Sequence, residues 1–410
     1  MTSADPSSTW PPLARLPEEW AAEIGRLGGR AFQGKQVFRW IHARGVTDPA
    51  KMTDLALGLR EKLAAEWPAA AFDLATVNRA ADGTRKLLVR YADGAQVETV
   101  LIPGVTGGKS SLPPPVASSR LASSAQDDDA DVAALDDEDA DGFAPAGEGT
   151  SPVRVTQCIS TQVGCAMGCV FCASGVAGLT RNMGADEIVA QVILGKLYLE
   201  EGEVLRGVVL MGMGEPLHNY DATARALRLL THPDGIGLSS RRVTVSTSGL
   251  VPEIDRLGED FKGQIGLAVS LHAADEDRRS RLMPINRKYP LATLMASLRR
   301  YPIPQRRRIT IEYTLIGGEN DSAPDAKKLA QLLRGLPVKI NLIPMNPVAS
   351  SPLRAPEMGA VLAFQKVLCD AGYSCFIRRR RGSDVSAACG QLALLGGRRK
   401  VRSALPKTTR

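Results

Sequence analysis

The stretch VRVTQCISTQVGCAMGCVFCASG, residues 153–175, decides how the rest of the chain is read. It opens with an apolar run, VRVTQCI, of the length of one β-strand, and passes directly into a loop that holds Cys165, Cys169 and Cys172 in C-x3-C-x2-C spacing. Cys158 stands seven residues upstream. Three soft thiolates in one tight loop suit zinc or an iron–sulfur cluster. A structural zinc would want a fourth ligand, which Cys158 or a distant cysteine could give, whereas a four-iron cluster held by three cysteines keeps one iron open. The chain has only four histidines, so a mixed Cys/His zinc site has little to draw on. The spacing, placed at the end of a strand, favours the open cluster with Cys165, Cys169 and Cys172 as metal ligands.

Working outward, the same rhythm of strand and helix repeats. Apolar runs at 153–159, 207–211, 243–247, 265–271, 309–315 and 338–343 each precede a helix-like segment. A last apolar piece, YSCFI, leads into RRRRG. Six βα units argue a parallel sheet, and the lack of a dinucleotide glycine fingerprint suits an α/β fold of the partial (βα)6 barrel type better than a doubly wound sheet. Barrel chemistry collects at the C-terminal ends of the strands. The unusual polar and glycine clusters fall there: the cysteines after the first strand, Gly212–Pro216 after the second, Ser246–Gly249 after the third, Ser270–His272 after the fourth and Asn341–Pro347 at the sixth.

Upstream of the opening stretch the composition changes twice. Residues 13–68 look helical, with Val37, Trp40 and Ile41 spaced as a buried stripe and Lys35, Arg39 and His42 spaced as a polar face. Three β-like runs follow, DLATVNR, RKLLVRY and AQVETVLIP, with Asp82-Gly83 and Asp93-Gly94 as hairpin turns. Residues 13–103 are thus expected to form a small α+β accessory domain. Residues 104–152 carry ten acidic and two basic side chains in a low-complexity stretch and read as a disordered insertion. Residues 153–397 are assigned to the barrel and 398–410 to a basic tail.

The whole chain is formally +7, and residues 376–410 alone carry ten Lys or Arg against one Asp. Such a balance points to a polyanionic partner such as nucleic acid, with an ordinary soluble basic end as the plain alternative. Seven cysteines is an odd count, the start MTSADPSSTWPP has no signal-peptide pattern, and no apolar run reaches the length of a membrane span. A reducing cytoplasmic setting is expected, where clustered cysteines are ligands or catalysts rather than disulfides.

Taken together, ETVLIP (98–103), CISTQVGCAMGCVFC (158–172), MGMGEP (211–216), VSTSG (245–249), SLHA (270–273), NLIPMNP (341–347) and RRRGSDVSAACGQL (379–392) resemble the radical S-adenosylmethionine (radical SAM) superfamily. Within it they look like the RlmN family of dual-specificity RNA (adenine carbon 2) methyltransferases. The likeness spans roughly residues 15–397 apart from the insertion, where the family has a short connection.

The resemblance implies a [4Fe–4S] cluster and two S-adenosylmethionine molecules per turnover. It implies methylation of carbon 2 of adenine 2503 in 23S rRNA and of adenine 37 in tRNA. Carbon 2 lies between two ring nitrogens and is too electron-poor to attack a sulfonium methyl, which is why the family uses a radical. Gly214, Glu215, Ser246, Ser270, Leu271, His272 and Asn341 match positions that hold S-adenosylmethionine. Cys389 matches the cysteine that is methylated and then joins carbon 2. Cys158 matches the cysteine that releases the RNA by a transient disulfide with Cys389. Glu98 matches the proton acceptor, although it lies in the accessory domain and must reach the barrel mouth. An electron donor such as flavodoxin with its reductase, a monomeric state and no membrane partner complete the expectation. Cys369 and Cys375 match nothing functional. Two alternatives stand: the sister family that methylates adenine carbon 8, separable by product mapping, and a zinc-stabilised RNA-binding protein, which would be colourless and contain zinc.

Overall fold

The structure is a computed structural model and describes residues 10–67, 72–104, 152–346, 351–378, 381–388 and 390–392. Most of the acidic segment, the basic tail and Cys389 lie outside the described residues. Among the described residues the strands are β1 (Phe72–Arg79), β2 (Arg85–Tyr91), β3 (Gln96–Pro103), β4 (Val153–Cys158), β5 (Gln162–Gly164), β6 (Leu179–Asn182), β7 (Glu203–Leu210), β8 (Val243–Thr247), β9 (Gly266–Ser270), β10 (Ile309–Leu315), β11 (Val338–Pro344) and β12 (Ser374–Ile377).

Ten of these strands form one sheet in the order β1-β2-β3-β4-β7-β8-β9-β10-β11-β12, and β5 with β6 makes a separate ribbon. From β4 to β12 every neighbour is parallel. Crossover helices such as Ala185–Leu197, Tyr220–Thr231 and Ala323–Leu332 return the chain to the start of the next strand. The six βα units and the open parallel sheet are as the sequence rhythm suggests, and YSCFI supplies a seventh parallel strand, β12. The reason is visible in burial: β10 is buried along its whole length and β11 along its first five residues. Strands covered on both faces read as continuous apolar runs rather than alternating ones.

The three runs before the insertion form an antiparallel meander, and their turns are set by Asp-Gly. The Asp82 carboxylate accepts from Thr84 N–H at 3.0 Å with Gly83 at φ +81°, and Asp93 accepts from Ala95 N–H at 2.9 Å with Gly94 at φ +80°. A side chain able to mimic a backbone turn, followed by a residue free to take positive φ, closes each hairpin in three residues, between Ala80 and Thr84 and between Tyr91 and Ala95. The meander is not a sheet of its own. β3 pairs antiparallel with β4, Val100 standing opposite Cys158, so the N-terminal strands extend the barrel sheet.

A buried ion pair fastens this extension. Arg85 on β2 is almost fully enclosed, donates to both carboxylate oxygens of Glu203 at 2.8 and 2.7 Å, and also donates to the Tyr198 carbonyl at 3.0 Å. Arg85→Ala would strand the Glu203 charge away from water. The expected cost is about 3–5 kcal/mol in the urea unfolding free energy, and a cost below about 1 kcal/mol would contradict this account of the junction.

The helical N-terminus packs by aromatic contact, Trp20 on Trp67 with ring centroids 5.4 Å apart. The expected polar face of Lys35, Arg39 and His42 needs correction. Lys35 and Arg39 are exposed but both pair with Asp234, and His42 is fully buried. The chain winds as a π-helix over Arg39–Ala43. That wider turn slips the angular phase, so positions i, i+4 and i+7 no longer share a side.

His42 packs on Phe38 at 4.4 Å, which in turn meets His232 edge-on at 4.8 Å, and among the described residues neither ring nitrogen of His42 has a hydrogen-bond partner. Burial, helped by His232, pushes its pKa down to about 3. The unfolded imidazole takes a proton near 6.5 and the folded one does not until about 3. The neutral ring's full contribution to stability is therefore present above pH 6.5 and is lost as pH falls toward 3. The slope is about 1.4 kcal/mol per pH unit for each such group. His42→Leu is expected to flatten the fall of stability between pH 6 and pH 4 by about that amount, as read from urea titrations; an unchanged slope would mean the ring protonates in place.

No helix among the described residues is long and apolar enough to cross a membrane.

Candidate active site

The strand ends open on one cleft with about 930 Å³ of empty volume, solvent at its mouth included. Its near wall is the loop between β5 and the short helix Ala173–Ala177, and Cys165, Cys169 and Cys172 all line it. The loop is pinned at several points. Cys165 N–H donates to the Gly178 carbonyl at 3.1 Å, Val170 N–H to Leu282 at 3.1 Å and Ala173 N–H to Gly390 at 2.9 Å. The last bond ties the thiol loop to the residue that follows Cys389, and Gly390 itself lines the cleft.

Burial pushes the Cys165 thiol up to about 12 and the Cys169 thiol well above its ordinary value. Left alone these groups hold their protons; a bound metal centre must supply the positive charge that makes them thiolates. Among the described residues no three Cys, His, Asp or Glu side chains close around a single ion. Three thiols in one loop are a donor set that fits an iron–sulfur cluster with one iron left open.

The second wall is the turn after β7. Gly214 adopts φ +101°, and a Cβ there would meet the Gln162 backbone nitrogen at 2.7 Å, so only glycine brings the turn this close to β5. The turn delivers Glu215, whose carboxylate accepts from Ser248 N–H at 2.7 Å, Ser248 Oγ at 2.8 Å and Leu217 N–H at 3.1 Å. Burial raises the Glu215 pKa and these donors oppose the rise. Ser246 and Ser270, at the ends of β8 and β9, also line the cleft.

His272 follows in a left-handed conformation, φ +56°, held by Asn320 Nδ2 donating to its carbonyl at 2.7 Å. Its Nδ1 accepts from Thr314 N–H at 2.9 Å, which places the ring proton on Nε2. Burial keeps the ring neutral, with a pKa pushed down to about 3. The cleft thus faces a fixed N–H donor, with the Phe171 ring edge-on at 4.8 Å.

Two of the cofactor positions expected from the sequence do not line the cleft. Leu271 is a core side chain that contributes only backbone, its N–H donating to the Glu312 carbonyl at 3.0 Å. Asn341 lies within β11 opposite Glu312, and its Nδ2 donates to Glu312 Oε1 at 3.0 Å. Glu312, not Asn341, reaches the cleft, as do Asn346, Thr314 and Arg378. Arg378 Nη1 stands 4.0 Å from Glu312 Oε2.

Glu98 and Cys158 sit on the adjacent strands β3 and β4, and neither is among the residues that line the cleft. Glu98, Val100 and Cys158 share one sheet face by the two-residue period, because Val100 stands opposite Cys158. The antiparallel pairing of β3 with β4 carries Glu98 to the C-terminal end of β4, where Ser160 Oγ donates to its carbonyl at 2.7 Å. Lys86, unremarked in the sequence, pairs with Glu98 at 2.8 Å and reaches the Ser386 carbonyl at 3.5 Å. Cys369 and Cys375 are buried where the helix Met358–Asp370 meets β12, and neither lines the cleft.

Comparison with known proteins agrees with this architecture. A radical SAM superfamily model matches residues 159–330, and a ribosomal RNA large subunit methyltransferase N-terminal domain model matches residues 18–67. A dual-specificity RNA methyltransferase RlmN from Sorangium cellulosum is 65% identical over 395 residues, covering 96% of this chain and 98% of that protein. The one from Anaeromyxobacter dehalogenans is 42% identical, covering 97% of each. The crystal structure of a radical SAM methyltransferase from Sphaerobacter thermophilus superposes with a TM-score of 0.78 at 39% identity, covering 94% of this chain and 99% of that one.

Proposed function

Because the chain belongs to the RlmN family of radical SAM RNA methyltransferases, we propose that it methylates carbon 2 of adenine in 23S rRNA and in tRNA, through a methylated Cys389 and a transient RNA adduct that Cys158 resolves. The observation that carries the reading is the convergence on one cleft: three cluster thiols, the Gly214–Glu215 turn and the residue after Cys389 border it, and Glu98 and Cys158 share a sheet face on the adjoining strands β3 and β4.

Superfamily membership implies a [4Fe–4S] cluster and S-adenosylmethionine. When bound they supply the radical that an electron-poor ring carbon requires. Cys165, Cys169 and Cys172 hold the cluster. Gly214, Glu215, Ser246, Ser270, Leu271 through its backbone, the Nε2–H of His272 and Asn341 orient S-adenosylmethionine, with Glu312 and Asn346 as further polar wall. The Phe171 and Met283 side chains exclude water beside the cluster loop. Glu98 accepts the proton that leaves carbon 2, and Lys86 holds its carboxylate in place. Two S-adenosylmethionine molecules per turnover, a flavodoxin-type electron donor, a monomeric enzyme and a cytoplasmic setting belong to the same reading, as does the division into an accessory domain, an acidic insertion, a barrel and a basic tail.

The test is mass spectrometry of 23S rRNA and tRNA from a strain lacking the gene, with and without the gene restored. Loss and recovery of 2-methyladenosine in both RNAs is expected. A product methylated at carbon 8, or no change in either RNA, would overturn the assignment.

A further inference from the structure

The helix Glu276–Leu282 packs behind the thiol loop, and one side chain on it is unusual. Arg279 is fully buried. Its Nε donates to the Leu271 carbonyl at 3.1 Å, Nη1 to Asn286 Oδ1 at 2.7 Å, and Nη2 to the carbonyls of Ser248 at 2.7 Å and Ser270 at 3.3 Å. Every one of these acceptors is neutral. No carboxylate among the described residues comes within ion-pair distance of the guanidinium. Glu276, on the same helix, spends its two oxygens on Asn286 and on Leu291 N–H, each at 2.7 Å.

A guanidinium taken out of water without a counter-charge is costly, and neutral carbonyls repay only part of that cost. Two groups bear electrostatically on the guanidinium, Cys169 first and then the Glu276 carboxylate beyond Asn286, and only the first belongs to the thiol loop. Val170, between two of the cluster cysteines, donates to Leu282 at the end of this helix, and the packed cluster of Leu282, Met283, Ile316 and Met345 includes Cys169, Val170 and Phe171 at its margin. The helix is thus seated directly on the thiol loop, and Arg279 and Cys169 interact electrostatically. Three thiolates around an iron–sulfur cluster are net anionic.

We propose that Arg279 is the fixed counter-cation of the cluster: it offsets the charge of the three-thiolate centre, raises its reduction potential, and at the same time ties the ends of β8 and β9 that carry Ser246 and Ser270. It is a positioning residue that touches no substrate. The inference rests on the radical SAM reading of the thiol loop. The bland role, a neutral staple between strand ends, predicts the same hydrogen bonds but no effect on the potential.

The experiment is a potentiometric titration of the anaerobically reconstituted holoprotein without S-adenosylmethionine, followed by the electron paramagnetic resonance of the reduced cluster. Arg279→Gln is expected to shift the midpoint to more negative values and to speed cluster loss to a chelator. Arg279→Lys keeps the charge and loses the planar fork. Its midpoint is expected to stay near that of the parent while its urea midpoint falls. A Gln variant whose potential does not move would overturn the proposal. If that variant yields no soluble holoprotein, the Lys variant decides: a potential that falls along with stability refutes the charge role, and one that holds supports it. A parent protein that binds no iron–sulfur cluster would instead sink the reading on which the inference rests.

Discussion

Cys158→Ala is expected to leave its RNA bound to the protein through denaturing electrophoresis. The proposed chemistry joins carbon 2 to the methylene on Cys389, so the RNA is tethered until a second thiol attacks and frees it. Cys158 suits that role by position: it closes β4, is only 6% exposed and shares a sheet face with Glu98. Removing it blocks release without blocking attachment. Cys389→Ala cannot form the tether and is expected to be inactive and free of RNA, and the double variant should behave like Cys389→Ala, because loss of the earlier step hides the later one. The cost to folding of Cys158→Ala is small, since it removes one sulfur from a strand whose ladder to β3 and β7 stays intact. A Cys158→Ala protein that turns over and carries no RNA would make Cys158 a packed core thiol and end the two-cysteine scheme.

How far the sequence alone reaches differs between elements for physical reasons. The parallel strands are legible because burial on both faces forces uninterrupted apolar runs, and their C-terminal ends are marked by residues such as Gly214 that only a close turn demands. Proximity across the sheet is not legible. Nothing local in ETVLIP says that β3 runs antiparallel to β4, yet that pairing is what brings Glu98 to the C-terminal end of β4. The same holds for Lys86, Glu312 and Arg279, which look like ordinary charges in their segments and acquire meaning only from partners far along the chain.

Asn341 and Asn346 stand differently although one motif carries both. Both lie in NLIPMNP, but Asn341 is inside β11, where its side chain is spent on the neighbouring strand, and Asn346 is past the strand end and faces the cleft. The bounds of β11 set that difference, which no local feature of the motif announces. Leu271 likewise turns its side chain into the core, so what it offers a ligand is backbone.

Replacing Cys165, Cys169 or Cys172 by Ala is expected to abolish both cluster binding and methylation. A [4Fe–4S] centre held by three protein thiolates has no spare ligand, so two remaining cysteines leave two irons open and the cluster is lost to solvent thiols or breaks down. The loop offers no substitute, for Met167 and Phe171 are the other side chains of that wall and neither supplies an anionic ligand. Iron and sulfide per chain after anaerobic reconstitution, with the visible charge-transfer absorption, read the outcome directly. Cys369→Ala is the control: it lies by β12, away from the cleft, and should keep a full cluster. Retained urea stability in the loop variants, measured without cluster, separates loss of a ligand from loss of the fold. Full iron content in all three loop variants would remove the cluster from this loop, and stoichiometric zinc in the parent with no iron would replace radical chemistry by a structural site.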